Sequence, residues 1–572
     1  MPASPTTRRD LVAFGVLAAG LLIWFAGPGV ARGFTFPVGP DAPVYLWWTR
    51  LVGVEGLSAV TRPGVPALAL VLSGTLHAPA SAVLAALEIA GGIATGVAGA
   101  ALVRVARPDD RPTWILAGAL VGTFAVHVAT GYLATLVFGV VFLAVGAAIL
   151  IVAAALAWRD DRDDARRFLA VVAGGAAILA LVGLALLLGP SPLLVDTSRD
   201  AFLRRVGLGD VLERAYRERF LARWTRYAPW GILPLAAVGV GVEFRGARGR
   251  STVERILAAW VVVAAGGAVV AFATGLLPID RFVTFAFAMP LLAALGAVRL
   301  ARTVGGPRVV GRLAAAALVG AMLFGAGASW LRQEPFLDDR DLAALRVANA
   351  VAVAAPGRAL VAPVGSEQSA FLLTLSGNAI RATVPPGRIR DVVVTAVGSA
   401  PGREGVAIGA RTAADVRAAT AARGGPAQRI LVVPFAEREA RGAPWTLVAD
   451  DVAVDPVPEG FAPSSVVEPV EPYAPWLPTA IAIAALALLG AGGWAWTRIA
   501  GIADVPGTVA LAPAVGMGFA ILVAFPLERI GLPLTGSVGP LVASAVAVGS
   551  GPLARRVLAR RERIARDREP RA

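Results

Sequence analysis

What most constrains this chain is its supply of apolar runs about as long as a bilayer is thick. Residues 113–157 hold no Asp, Glu, Lys or Arg at all and are interrupted only by Gly131. A crossing helix needs roughly 20 apolar residues, because in lipid the backbone must satisfy its own hydrogen bonds. By that ruler helices fall near 10–30, 80–106, 113–130, 132–157, 167–189, 229–243, 255–276, 282–300 and 311–330, and again near 477–497, 506–526 and 535–551. The block at 113–157 is either two short helices or one long one. The span 65–79 is too short to cross; it is either re-entrant or an extension of the helix that follows. The first run, from Leu11, outlasts the core of a cleavable signal and reads as a retained helix. The expected class is a polytopic α-helical membrane protein, with about 12 spans by the same ruler. Its 16% of charged residues against about 25% in soluble domains agrees.

Charge sets the expected orientation. The net charge is +14 and every base is arginine, since the sequence has no lysine. Such arginine usage, with abundant Ala, Gly and Val, is typical of GC-rich bacterial genomes. Arg8 and Arg9, the 104–112 loop, WRDDRDDARR, FRGARGR, the span from Arg299 to Arg312 and the tail RRVLARRERIARDREPRA all fall on one side of the predicted helices. The positive-inside rule makes that side cytoplasmic, so both termini are expected inside a cytoplasmic membrane. The basic balance is thus explained by topology, and nucleic acid is not an expected partner. One loop resists: residues 195–229 carry eight arginines yet fall outside. Cysteine is absent, which excludes disulfides and thiolate chemistry, and His77 and His127 are the only histidines, too few for a multi-histidine metal site.

Residues 331–475 read differently. RALVAPV and RILVVPF suit buried strands, IRATVPP is strand-like, and DLAALRVANAVAVAA, SEQSAFLLTLSG and RTAADVRAATAARGG carry helical spacing. Alternating helices and short strands predict an extracytoplasmic α/β domain with a largely parallel sheet. A Pro-rich exit returns the chain to the membrane. The expected organisation is a membrane domain at 1–330, the α/β domain at 331–475, three helices at 476–552 and a basic cytoplasmic tail at 553–572.

The stretch GPDAPVYLWWTR places an acid, Asp41, just beyond the first helix. Val44, Trp47, Trp48 and Leu51 then share one helical face, and Tyr45, Thr49 and Arg50 face elsewhere. That pattern predicts a short interfacial helix, since tryptophan favours the membrane surface. Asp41 reads either as the N-cap of this helix or as a carboxylate poised to take a proton from a hydroxyl; a cap also fixes position, so the readings are compatible. Tyr45, Trp47 and Trp48 would line the interface or a cavity under it.

This layout resembles the C-type (GT-C fold) glycosyltransferases, membrane enzymes that use polyprenyl-phosphate sugars. The resemblance rests on DAPVYLWWTR followed by VGVEGLSAVTRPGVPAL, and on LLPIDRFVTFAFAMPLLAALGA at 276–297. It implies that Asp41 is the general base, with Glu55 in the same loop a second choice, and that Arg281 grips the donor phosphate. The paired acidic dipeptide of the mannosyltransferase and aminoarabinose-transferase branches is missing, as is a WWDYG-like signature, so the subfamily stays open. The resemblance implies a lipid-linked sugar donor, a cell-envelope glycan, lipid or protein as acceptor, and no cofactor beyond a possible divalent cation.

Other charges have two readings each. Arg281 either snorkels to headgroups or pairs with Asp280 or binds phosphate, which arginine can hold with two parallel hydrogen bonds. In the 195–229 loop, Leu212, Tyr216, Phe220 and Trp224 form a stripe flanked by arginines. This is either a salt-bridged external helix or a surface that brings Arg223 or Arg226 to a phosphate. Glu88, about two turns into an apolar helix, is either a packed glutamate or a functional one, with His127 as a conceivable partner. Glu88 and His127 are also what a transporter or flippase of lipid-linked or anionic substrates would use, and that is the alternative function. A third possibility is a non-catalytic membrane protein that recruits a partner.

Overall fold

The structure is a computed structural model. It describes residues 5–38, 42–57, 63–129, 140–158, 160–187, 235–239, 252–274, 288–303, 308–331, 472–499 and 504–568, six strands between 358 and 455, and a few single positions between these. Asp41, Arg223, Arg226 and Arg281 lie outside the described residues, as do the side chains of Trp47 and His127.

The described membrane helices, numbered in chain order, begin with α1 (Pro5–Ala31), α2 (Ala42–Glu55), α3 (Gly64–Leu76) and α4 (Ala80–Ala106). There follow α5 (Arg111–Ala129), α6 (Val140–Trp158), α7 (Arg162–Leu187), α8 (Thr252–Thr274), α9 (Ala288–Thr303) and α10 (Arg308–Leu331). After the strands come α11 (Leu477–Ile499), α12 (Val505–Arg529) and α13 (Val538–Arg568). Among the described residues, five helices (α1, α4, α10, α11 and α12) are long and apolar enough to cross a membrane. The chain is a multi-pass helical membrane protein. The described residues of the apolar block at 113–157 fall in α5 and α6, and 130–139 lie outside the described residues.

The short span is settled. With 13 residues, α3 is about 20 Å long, well under a bilayer core of about 30 Å. It is a separate helix and not an extension of α4: His77 turns left-handed at φ 51° and the Ser73 hydroxyl binds the Ala78 carbonyl. Thr75 bonds the Pro540 carbonyl and the Ser544 hydroxyl, which ties α3 to α13.

Small residues let the helices close on one another. A Cβ at Gly493 would overlap the Ala512 carbonyl, and one at Gly516 the Leu489 carbonyl, so α11 and α12 meet backbone to backbone. Gly96 and Gly118 do the same for α4 and α5, while Phe25 and Leu21 of α1 fill the spaces left at Gly92 and Gly122. In lipid, where apolar side chains gain little by leaving one another's company, such close packing is a main source of association. The resulting core is shared: Phe14, Leu21, Ala90, Trp114, Ile481 and Ile521, from both ends of the sequence, belong to one cluster. Val12, Val16, Ile23 and Phe324 are exposed on the outside of the bundle, as apolar side chains facing lipid should be.

Between α10 and α11 the strands β1 (Arg358–Val364), β2 (Ile389–Ala396), β3 (Val406–Ala407), β4 (Arg429–Pro434), β5 (Thr446–Ala449) and β6 (Val452–Asp455) form one sheet in the order β3-β2-β1-β4-β6-β5. The four strands β1 to β4 run parallel; β6 lies antiparallel to β4, and β5 to β6. RALVAPV is β1 and RILVVP is β4, at the centre of the sheet. The helices expected between them, and the strand expected at IRATVPP, lie outside the described residues.

Candidate functional site at the first loop

The end of the bundle where α1 stops is held by a short strap, Thr35 to Val38. Phe36, Pro37 and Val38 are buried. The Thr35 carbonyl accepts the backbone N–H of Tyr473 at 3.1 Å, and the Phe36 ring lies 6.5 Å from the Tyr473 ring. Val38 pairs antiparallel with Pro335. Just before the strap, Arg32 donates to the Leu331 carbonyl at 3.0 Å and its guanidinium sits 4.6 Å from the Phe34 ring.

Next in the chain is α2, which starts at the residue after Asp41. Its 14 residues give about 21 Å, again too short to cross. The inward face differs from the expected division. Ala42, Tyr45, Leu46, Thr49 and Val52 are buried, at i, i+3, i+4, i+7 and i+10, and Trp48 and Leu51 are only partly buried. The tryptophans dominated the sequence pattern, but the small and hydroxylated face is the one that fits against α3 and α4. Thr49 is accommodated because its hydroxyl donates to the Tyr45 carbonyl at 2.7 Å, so its own buried donor is paired. Tyr45 and Trp48 meet edge to face at 5.5 Å. Arg50 is half-buried, and burial pulls its guanidinium below the usual arginine range.

Glu55 closes α2 and is exposed. The turn after it is more constrained: Gly56 adopts φ +87°, and a side chain there would strike the Glu528 carboxylate. Leu57 N–H donates to Glu528 Oε1 at 3.4 Å, so α12 holds the C-terminal end of α2. The second oxygen, Oε2, lies 3.8 Å from Arg529 Nε.

Glu88 is partly buried on α4, amid buried neighbours from Ser81 to Ala90. Sequence reading offered His127 as its companion; the side chain of His127 lies outside the described residues. Burial pushes the Tyr473 phenol well above its usual range, and the Glu88 carboxylate adds to that push. Tyr473, Glu528 and Arg50 were not singled out by the sequence. Tyr473 sits in PYAPW at the end of a Pro-rich stretch, which marks a re-entry point but no partner. Glu528 lies in PLER at the end of an apolar helix, where an interfacial charge is ordinary. Among the described residues, no three His, Asp or Glu side chains are grouped to hold a metal ion.

No family model matches the chain, and no curated protein does. Among solved structures it is similar to the archaeal oligosaccharyltransferase AglB from Archaeoglobus fulgidus, in complex with an inhibitory peptide and a dolichol-phosphate, at 13% identity and TM-score 0.46, over 76% of this chain and 70% of that one. It is also similar to ArnT from Cupriavidus metallidurans in the apo state, at 13% identity and TM-score 0.40, over 77% of this chain and 97% of that one. Both are GT-C fold membrane glycosyltransferases. At this identity and these TM-scores the likenesses do not assign the chain to a subfamily or an activity.

Proposed function

We propose that the chain is a membrane glycosyltransferase that moves a sugar from a polyprenyl-phosphate donor to an acceptor on the outer face of the cytoplasmic membrane. What supports this reading is the place of Asp41 in the sequence. It directly precedes α2, a helix too short to cross, whose buried face packs on the bundle and whose far end is held by Glu528. An acid joined to such a helix would stand at the membrane surface, where lipid and water-borne substrates can meet.

In the proposed reaction the acceptor hydroxyl attacks the anomeric carbon. A C–O bond to the acceptor forms and the C–O bond to the lipid phosphate breaks. Asp41 takes the hydroxyl proton, and the phosphate leaves with its negative charge offset by Arg281, or by Arg223 or Arg226. A divalent cation would supply the same charge. General-base help of this kind is worth about 10²- to 10⁴-fold in rate, and each preorganised donor at a developing anion about 3 kcal/mol. The 331–475 region would help to bind the acceptor, a cell-envelope glycan, lipid or protein.

The test uses membranes or nanodiscs supplied with radiolabelled polyprenyl-phosphate sugars. Asp41→Asn should lower transfer at least about 100-fold while the protein still purifies as a single species, and Glu55→Gln should change it little. Wild-type transfer that Asp41→Asn leaves intact would remove Asp41 from the mechanism. No transfer by the wild type, with anion or lipid uptake that Glu88→Gln abolishes, would replace the enzyme by a transporter.

A further inference from the structure

Both connections of the 331–475 region end on the same strap. Its entrance meets the strap where Pro335, four positions beyond the last residue of α10, pairs with Val38. Its exit meets the strap where Tyr473, four positions before α11, donates its backbone N–H to Thr35 and lays its ring beside Phe36. The contact is dry: Tyr473 is 5% exposed, Phe36 2% and Val38 7%. Asp41 is three positions beyond Val38 in the sequence, so its Cα can be no more than about 11 Å from that of Val38. A shift of the strap would therefore bear on Asp41.

We propose that Tyr473 is a positioning residue, which fastens the exit of the 331–475 region to the Thr35–Val38 strap and so acts on Asp41, three positions further along the sequence. Its backbone N–H fixes the register and its ring packs on Phe36. The external region is by this account coupled to the site: a movement of its two connections, on binding an acceptor, acts on the strap from both sides.

The absence of cysteine makes the strap directly readable. Val38→Cys and Pro335→Cys, introduced together in the full chain, place two thiols across an antiparallel pair, at a Cα separation that a disulfide can span. The expected result is rapid crosslinking under mild oxidation. Tyr473→Ala or Tyr473→Leu should slow it at least about tenfold, a factor equal to about 1.4 kcal/mol, while Tyr473→Phe, which keeps ring and N–H, stays close to the parent rate. Equal crosslinking in Tyr473→Leu, with a monodisperse and cooperatively melting protein, overturns the proposal. The kinetic arm rests on the glycosyltransferase reading: Tyr473→Leu should lower kcat with little change in the donor KM, and an unchanged kcat despite slowed crosslinking also overturns it. Asp41→Asn should leave crosslinking untouched, so failure of the transfer reading and failure of the strap are told apart.

Discussion

The two ends of the helix bundle are held by different physics. At the end where α1 begins, the ties are ionic. Asp10, only 2% exposed, accepts from Arg104 of α4 and Arg111 of α5, at 2.9 Å each. Arg104 also reaches Asp504 at 2.6 Å, and Asp504 caps α12 through Gly507 N–H. Nearby, Asp164 of α7 joins Arg255 and Thr252 of α8, each at 2.9 Å, and Asp110 joins Arg302 of α9. At the opposite end the ties are backbone bonds and aromatic contacts: Arg32 to Leu331, Thr35 to Tyr473, Val38 to Pro335, Phe25 to Trp330. Buried charge networks punish any change of partner, so they suit an end that stays fixed. Single backbone bonds over apolar contacts are exchanged at lower cost, which suits an end where substrates would enter and leave.

The sharpest way to break this contrast is Asp10→Ala. It takes the buried carboxylate from Arg111 and leaves Arg104 with Asp504 alone, and losing one partner of a buried pair costs about 3–5 kcal/mol. Thermal melting in nanodiscs should show the largest loss of this series, and a loss under about 1 kcal/mol would mean that the network is ordinary surface pairing. Gly516→Leu acts between the ends. With the Leu489 carbonyl in its way, it should cost about 3 kcal/mol and separate α11 from α12, readable as lost crosslinking between engineered cysteines on the two helices. At the opposite end, Gly56→Ala forces a side chain into a left-handed turn for about 1–2 kcal/mol and pushes Glu528 off the end of α2. Glu528→Ala should relieve part of that cost, a coupling that a double-mutant cycle measures.

The smallest effect belongs to Arg302→Ala. The arginine is 58% exposed, so the pair with Asp110 should contribute no more than about 1 kcal/mol and fade with added salt. Burial alone would raise the Asp110 carboxyl, but hydrogen bonds from Thr113 and Arg302, with the arginine's charge, outweigh it and hold the group below the usual range. A depressed carboxyl stabilises the fold above its unfolded pKa of about 3.9 and loses that contribution as pH falls through the lower folded value. Melting profiles below about pH 4 should therefore show a steeper acid loss in the wild type than in Arg302→Ala.

Much of the bundle was legible because lipid enforces length. The runs read near 80–106, 311–330, 477–497 and 506–526 correspond to α4, α10, α11 and α12 within a few residues, since a helix in lipid ends where its apolar sequence ends. The strands RALVAPV and RILVVP were legible for a related reason: unbroken β-branched and apolar runs suit a parallel sheet covered on both faces. The inward face of α2 was not. Trp47 and Trp48 announced a membrane surface, yet Tyr45 and Thr49 are what the bundle encloses, because shape against α3 and α4 decided it. His127, offered by chemistry as a companion for Glu88, has its side chain outside the described residues, while the charge of Glu88 acts on Tyr473, 385 positions away in sequence.

By itself the sequence determined that this chain lives in a membrane, roughly where its helices start and stop, and which acid follows the first of them. Those properties are local: they follow from transfer free energy summed along one segment, which needs no knowledge of any other. Only the tertiary structure decided that Thr35–Val38 is gripped from two sides, that Glu528 holds the end of α2, and that Asp10 binds two helices together. Each of these joins residues about a hundred to several hundred positions apart, and no periodicity within a segment records which distant backbone will arrive beside it.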